Sequence, residues 1–450
     1  MKNSFFILFF FMVFLCLPVF SQEQFVADVE EIYVINSFVF NIDGITRPSA
    51  LINNNGFKEG EEISGLSNLE NYIQEKTQLL YNQRVLESAA IEYYIGVMRN
   101  DGKYPVDLVI NVKDTKNFVI LPGPKYSSNS GFSIEISIQH YNFFGTMSPF
   151  KIDVGYKHDE QGRSNYLFSL DSNVPFRAFD LNWNLSFIND FEYRPHLENL
   201  LYYKNTTGLY VNLPLGRFVA TLGFCESVII NEESLSFDGN IHNDIDSIHF
   251  GPSIGVGRVD WIGNFQNGLY ANIIQSYSYT FHNKEFDKSP WGVYHEISGI
   301  AHVFSGFFFG VSSRLMLRHW TFPNVYYNAG DTLRGILDKD VHSNYMLSLN
   351  IDVPFRILKF RPSEWFNNTK LQFFNFDLHL APVIDAALYN NPPNGNQFTF
   401  ENMLASGGLE AVIFPQRFRS LLVRVSFGVN LKGPSNAGKY ELFIGTDLFY

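Results

Sequence analysis

Residues Tyr440-Glu-Leu442-Phe-Ile444-Gly-Thr446-Asp-Leu448-Phe-Tyr450 alternate apolar with other residues up to a terminal aromatic. A period of two sends successive side chains to opposite faces of an extended chain. Such a strand suits a wall with lipid on one side and a wet lumen on the other. The pattern recurs upstream. Phe132, Ile134, Ile136 and Ile138 oppose Ser133, Glu135, Ser137 and Gln139, while Tyr345, Leu347, Leu349, Ile351 and Val353 share a face, as do Leu421, Val423, Val425, Phe427 and Val429.

Sixteen such segments can be placed from Asn117 onward, near 117–127, 131–142, 148–158, 163–173, 179–190, 204–214, 216–231, 247–259, 267–282, 291–304, 306–321, 344–355, 371–388, 402–413, 419–430 and 439–450. An even count suits a single-chain bacterial barrel, and fourteen is the neighbouring possibility. Roughly eleven residues at ~3.3 Å, tilted by ~40°, cover about 28 Å of membrane. The expected fold is an all-β transmembrane barrel of about sixteen antiparallel strands over 117–450. The connections at Asn142-Phe-Phe-Gly-Thr146, Leu215-Gly216 and Ser305-Gly306 are tight, whereas those near 190–203, 231–246 and 322–343 are long and polar. Short periplasmic turns and longer surface loops produce that asymmetry.

The chain opens with Lys2 and then sixteen uncharged residues from Phe5 to Phe20, with Val19 and Ser21 small enough for a cleavage site before Gln22. Residues 1–21 therefore read as a secretory signal peptide, too short in their apolar run for a spanning helix. Although 46% of the residues are hydrophobic, no later stretch reaches helix-spanning length without polar interruption. A chain in hydrocarbon must then satisfy its backbone in a closed barrel; a secreted sandwich or solenoid is the soluble alternative. Removing the leader leaves Cys225 alone, so no disulfide can form within the chain. The formal charge of −12 argues against a nucleic-acid partner.

Residues 30–115 read differently, as a small α+β domain. Tyr33 to Ile42 is a strand, Pro48 opens a helix that Gly56 closes, and Leu69, Tyr72, Ile73, Leu79 and Leu80 lie at helical spacing behind a Ser67…Glu70 capping box. Val85–Tyr94 and Val106–Val112 are two further strands.

Signals for catalysis are poor. Gly251-Pro-Ser253-Ile-Gly255 has the spacing of a nucleophile elbow but sits inside an alternating strand, without the strand-turn-helix context that strains such a serine. His242, Asp244, Asp246 and His249 fall in a polar loop with no second cluster to complete a metal site.

Ile45-Thr-Arg-Pro, Gly56-Phe-Lys-Glu-Gly60, Leu80 to Ser88 and Val106 to Val112, in their order of elements, resemble a polypeptide-transport-associated (POTRA) domain. Three places in the barrel resemble the BamA/TamA superfamily of outer-membrane assembly and translocation proteins, the bacterial surface antigen family. They are Leu121-Pro-Gly-Pro-Lys-Tyr126 through Asn142-Phe-Phe-Gly145, the loop segment Leu333-Arg334-Gly335-Ile336, and the run from Val383-Ile-Asp385-Ala-Ala387 through Ser406-Gly-Gly-Leu-Glu410 to the last strand. The resemblance implies that the loop folds into the lumen and that Arg334 pairs with Asp385, a planar fork meeting a carboxylate. Ile336, Val383 and Ala387 depart from the family pattern, which has an aromatic at the first, commonly an aromatic at the second and usually a glycine at the third.

The resemblance further implies a bacterial outer-membrane protein whose single periplasmic POTRA domain receives an unfolded client, protein or lipid, that the barrel inserts or passes. With one such domain it reads as an accessory or specialised member. Expected partners are outer-membrane lipid, the client and other assembly components; no cofactor, metal or catalytic residue is implied. Pro122 and Pro124 lack the donor a ladder uses, so the seam between the first strand and the terminal one at Tyr450 is expected to be short of hydrogen bonds and to act as a lateral gate. The alternatives are a passive porin or surface adhesin, which needs no periplasmic domain, and an outer-membrane hydrolase.

Overall fold

The computed structural model describes residues 31–446, apart from 128–130, 159–162, 197–199, 236–240, 283–289, 307, 322–326, 329–331, 338–340, 391–397 and 434–437. The leader segment and Tyr450 lie outside the described residues. An N-terminal α+β unit runs β1 (Ile32–Asp43), α1 (Pro48–Asn55), β2 (Glu62–Ser64), α2 (Leu66–Asn82), β3 (Leu86–Ile95) and β4 (Lys103–Asp114). Its sheet has the order β2-β1-β4-β3, with β1 and β4 parallel at the centre. Leu51, Leu69, Leu80, Leu86, Leu108 and Ile110 fill a core between sheet and helices. In α1 the ring of Pro48 presets the first turn, and Gly56 closes it at φ 63, returning its N–H to the Ile52 carbonyl.

One local expectation needs correction here. The capping box is not formed: α2 begins at Leu66 from Gly65, at φ 82 and with no side-chain cap, so Ser67 and Glu70 lie inside the first turn. Glycine's positive φ lets β2 reverse directly into the helix, and the Gly65 N–H is taken by the Glu31 carbonyl. The three-residue β2 carries no period of its own and was not anticipated in the sequence.

The second unit is a closed antiparallel barrel. Its staves begin with β5 (Phe118–Ser127), β6 (Gly131–His140), β7 (Phe150–His158), β8 (Ser164–Ala178), β9 (Leu181–Arg194) and β10 (Leu200–Leu215). They continue with β11 (Phe218–Leu235), β12 (Ile241–Ile262), β13 (Phe265–His282), β14 (Trp291–Phe304) and β15 (Gly310–Trp320). After a loop ribbon, β16 (Tyr327–Asn328) with β17 (His342–Ser343), come β18 (Tyr345–Asp352), β19 (Phe355–Phe360), β20 (Phe376–Asn390), β21 (Leu404–Pro415), β22 (Val423–Lys432) and β23 (Tyr440–Gly445). Both β18 and β19 pair with β20, as two halves of one stave broken at Val353-Pro354. Seventeen strand segments therefore make sixteen staves among the described residues.

Burial is inverted relative to a soluble protein. Ile134 and Ile136 are 52% and 48% exposed on the outside, while Ser133, Ser137 and Gln139 are buried on the lumen side. Ile384 and Leu409 face out where Asp385 and Glu410 face in. A belt of this kind is stable only against hydrocarbon.

Stave length is uneven: β11 and β13 have 18 residues and β12 has 22, against 11 in β15. The long polar loop expected over 231–246 is mostly strand, paired as Glu232 with Ile245 and Leu235 with Ile241. Likewise Arg194 pairs with Leu200 where a loop over 190–203 was expected. Twenty-two residues at ~3.3 Å and ~40° of tilt rise about 56 Å, well past a ~25 Å apolar belt. Strand continues there without a lipid face, and the apolar period that marks a membrane strand is lost.

The N-terminal unit seats on the end of the barrel formed by the short turns. From α2, the Asn82 and Gln78 side chains bond Asp260 and the Trp261 carbonyl at 2.7 and 2.9 Å, and Glu75 pairs with Arg258 at 2.8 Å. Asp114 accepts from Thr46 and from Asn142 of the β6–β7 turn. Arg84 enters the mouth itself, donating to the Arg419 carbonyl at 2.6 Å and to Asn264 at 3.2 Å, with its guanidinium 4.2 Å from the Trp261 ring. Burial, with the nearby Arg419 charge, pushes its pKa down to about 9, so it remains a cation at neutral pH.

Candidate latch in the barrel lumen

The described part of the β15–β18 loop turns inward. Thr332, Leu333, Arg334 and Ile336 are all at most 4% exposed. Leu333 and Ile336 pack with Val341, Met346, Ala387, Tyr389 and Leu404 in an apolar cluster on the lumen wall. Ile336 thus fills its place as an aliphatic, with the cluster's ring supplied by Tyr389. Val383 and Ala387 are buried at 2% each, small enough to leave room for the incoming segment.

Arg334 is tied by both backbone and side chain. Its N–H donates to Asp385 Oδ2 at 2.8 Å, its Nε to the same oxygen at 3.0 Å, and a terminal nitrogen to Oδ1 at 2.7 Å. The guanidinium also reaches Asp352 at 2.5 Å and Glu410 at 3.5 Å, and Glu410 is shared with Arg424 at 3.1 Å. Carboxylates thus converge on Arg334 from β18, β20 and β21. Asn350 donates to the Thr332 carbonyl at 2.7 Å, and the Gly335 N–H donates to Glu441 of β23 at 2.8 Å. Bonds at Thr332, Arg334 and Gly335 hold the segment in one register, a positional role in which a fork-shaped cation outperforms a point charge.

One contact is backbone against backbone. Gly335 has φ 93, and a Cβ there would lie 2.6 Å from the Gly428 carbonyl carbon; a Cβ on Gly428 would lie 2.5 Å from the Gly335 nitrogen. Both positions therefore require glycine, for different reasons: Gly335 for conformation and clearance, Gly428 for clearance alone.

Of the residues singled out in the sequence, the structure brings Leu333, Arg334, Gly335, Ile336 and Asp385 together. Asp352, Glu410, Arg424, Glu441 and Gly428 were missed. Their signal was parity, since each lies on the lumen-facing side of its strand, but parity alone does not say which of them meet. Pro122 and Pro124 lie in β5, paired with Ile136 and Ile134. Among the described residues β5 and β23 pair at Ser127 with Phe443 and Tyr126 with Ile444; the rest of the seam, where the expected shortage of hydrogen bonds falls, lies outside the described residues. Ser253 sits in mid-strand, opposite Gly223 and Ile274, where no elbow exists. Asp246 accepts from the Asn231 N–H and His249 pairs with Ser247, in strand and not in a loop; the side chains of His242 and Asp244 lie outside the described residues.

Between the latch and Arg84 lies a cavity of about 70 Å³, lined by Asp352 and Glu410 on one side and by Trp261, His302, His379 and Phe414 on the other. The lumen is thus occupied from one end by the loop and from the other by the N-terminal unit. This arrangement can block passage and hold a wall in register.

No family model and no curated protein matches the sequence. Among solved structures, CdiB from Acinetobacter baumannii aligns with a TM-score of 0.54 at 13% identity, over 92% of this chain and 73% of that one. BamA from Haemophilus ducreyi lacking POTRA domains 1–3 aligns at 0.49 and 15%, over 92% and 84%, and CdiB from Escherichia coli at 0.47 and 9%, over 95% and 93%. The A. baumannii CdiB likeness extends to the fold: a transmembrane barrel preceded by a POTRA-like α+β unit.

Proposed function

We propose that this chain is an outer-membrane assembly or translocation factor. In this reading the N-terminal unit is a single POTRA domain over about residues 30–115. It lies in the periplasm and receives an unfolded client, which the barrel of residues 117–450 inserts or passes. The observation that carries the reading is the lumen segment 332–336, pinned through Arg334 to Asp385, Asp352 and Glu410. A passive pore has no use for a plug bonded to the wall on several staves, which argues against the porin alternative.

The seam supplies the route. The ladder from β5 to β6 runs through Pro122 and Pro124 without a break. Since a proline nitrogen cannot donate, the deficit falls on the seam edge, where an incoming strand can add by β-augmentation. The client is a protein or lipid of the outer membrane, and the chain serves as an accessory or specialised member of its class.

The test is a lock. Tyr126 and Ile444 stand directly opposite one another, and opposed antiparallel residues lie about 4.5–5.5 Å apart at Cα, within the range a disulfide bridges. In a Cys225→Ser background, Tyr126→Cys with Ile444→Cys should oxidise readily. Depletion followed by an inventory of outer-membrane proteins and lipids identifies the client; the oxidised variant should fail to restore it and the reduced one should succeed. Full restoration by a locked barrel sinks the gate, and full restoration by a chain lacking residues 24–114 sinks the role of the domain.

A further inference from the structure

Residues 361–375, between β19 and β20, form the longest connection on the N-terminal unit's side of the barrel, where other turns are as short as Gly216-Arg217 and Gly263-Asn264. The segment has two unlike sides. On one, Arg361 donates to the Phe376 carbonyl at 2.6 Å and pairs with Asp377, and Asn375 bridges Ser363 at 2.7 Å to Gln416 at 3.0 Å. Arg361, Ser363, Glu364, Gln372 and Asn375 line a cavity of about 1120 Å³ beneath the N-terminal unit. On the other, Trp365, Phe366, Phe373 and Phe374 are 58%, 70%, 52% and 62% exposed, and none of them lines that cavity.

The exposed side continues the lipid-facing wall. Phe360 and Phe376 pair in register and stack at 5.1 Å on the outward parity of β19 and β20, alternating with the buried Asp377 and His379. Trp365 folds back edge-on to Phe360 at 5.0 Å. The guanidinium of Arg417 lies 3.9 Å over the Phe373 ring, a cation beside the aromatic edge. Aromatic rings at the rim of an apolar belt, with polar groups turned away from it, match the chemistry of a bilayer's headgroup layer.

We propose that residues 361–375 are an interfacial membrane anchor, with Trp365, Phe366, Phe373 and Phe374 inserted into the leaflet on the N-terminal unit's side, so that lipid and not a protein covers this face. The anchor fixes the barrel's depth on that side and keeps the mouth of the cavity at the membrane surface. It rests on the barrel fold alone and stands apart from the client assignment.

The experiment uses the full chain folded into phosphatidylethanolamine–phosphatidylglycerol vesicles, with folding verified by heat-modifiable gel mobility. Trp365 emission is the difference between the parent and Trp365→Phe. It should be blue-shifted, and quenched more by lipids brominated near the headgroup end of the acyl chain than by lipids brominated near the methyl end. Phe366→Glu with Phe374→Glu should reduce that quenching. A difference spectrum at the wavelength of tryptophan in water, unquenched by either lipid in a folded barrel, overturns the proposal. The conservative Trp365→Phe exchange decides the matter even where the double variant fails to fold.

Discussion

Replacing Arg334 with alanine should release the 332–336 segment from the lumen. The substitution removes the guanidinium bonds to Asp385 at 3.0 and 2.7 Å and the contacts with Asp352 and Glu410, leaving three carboxylates without that cation. Asp385 has a side chain 1% exposed and keeps the Arg334 backbone N–H. Breaking a buried pair costs about 3–5 kcal/mol; water in the lumen and the surviving backbone bond place this case near the lower end, at about 3 kcal/mol. At ~1.4 kcal/mol per tenfold, the docked-to-released ratio falls about a hundredfold. A cysteine at Thr332, itself 1% exposed, reports release when introduced with Cys225→Ser. Reaction with a membrane-impermeant maleimide proceeds through the released population, so its rate should rise by about that same hundredfold. Arg334→Lys should fall between parent and alanine, because a point charge cannot satisfy both Asp385 oxygens at once. Equal labelling rates in the parent and the alanine variant, with both barrels folded, would refute the reasoning.

Gly428→Ala should also expel the loop, since its methyl would meet the Gly335 nitrogen and Arg334 carbonyl carbon at 2.5 and 2.6 Å, backbone atoms that cannot swing aside. Overpacking of this kind costs about 1–3 kcal/mol, so the same cysteine should react roughly tenfold faster or more, while Gly407→Ala, where the nearest atom is a flexible Leu431 methyl at 3.3 Å, should change little. Arg84→Ala should loosen the N-terminal unit from the barrel mouth by about 2 kcal/mol, through lost bonds from a charged donor and lost contact with Trp261. Disulfide yield between cysteines at Asn54 and Thr146, neighbours across that interface at 3.3 Å, should then drop severalfold; an unchanged yield removes Arg84 from the docking account.

The staves were legible because two solvents impose a contrast on alternate residues, which is plain in β6 and β20. It fades where β11 and β12 rise beyond lipid, so 231–246 read as loop despite pairing as Glu232 with Ile245. Pro48 and Gly56 announced α1 because each acts through its own backbone. Ser67 and Glu70 misled, since a glycine with positive φ ended the turn before a side-chain cap was needed. The proximity of Arg334 and Asp385 came from family resemblance and not from spacing. Which other acids join them depends on closure and register: Asp385 stands between Asn350 and Ser406, which brings β18 and β21 to its flanks, and no local pattern encodes that.

The Gly335 N–H ends on Glu441, and Glu441 belongs to β23, whose outer edge faces β5 across the seam. Any outward peeling of this last stave drags that carboxylate off the loop, while Arg334 stays fastened to β18, β20 and β21. Unzipping the wall therefore removes one of the stopper's tethers, and a strand that wedges itself beside β5 would be sensed in the lumen without touching anything there.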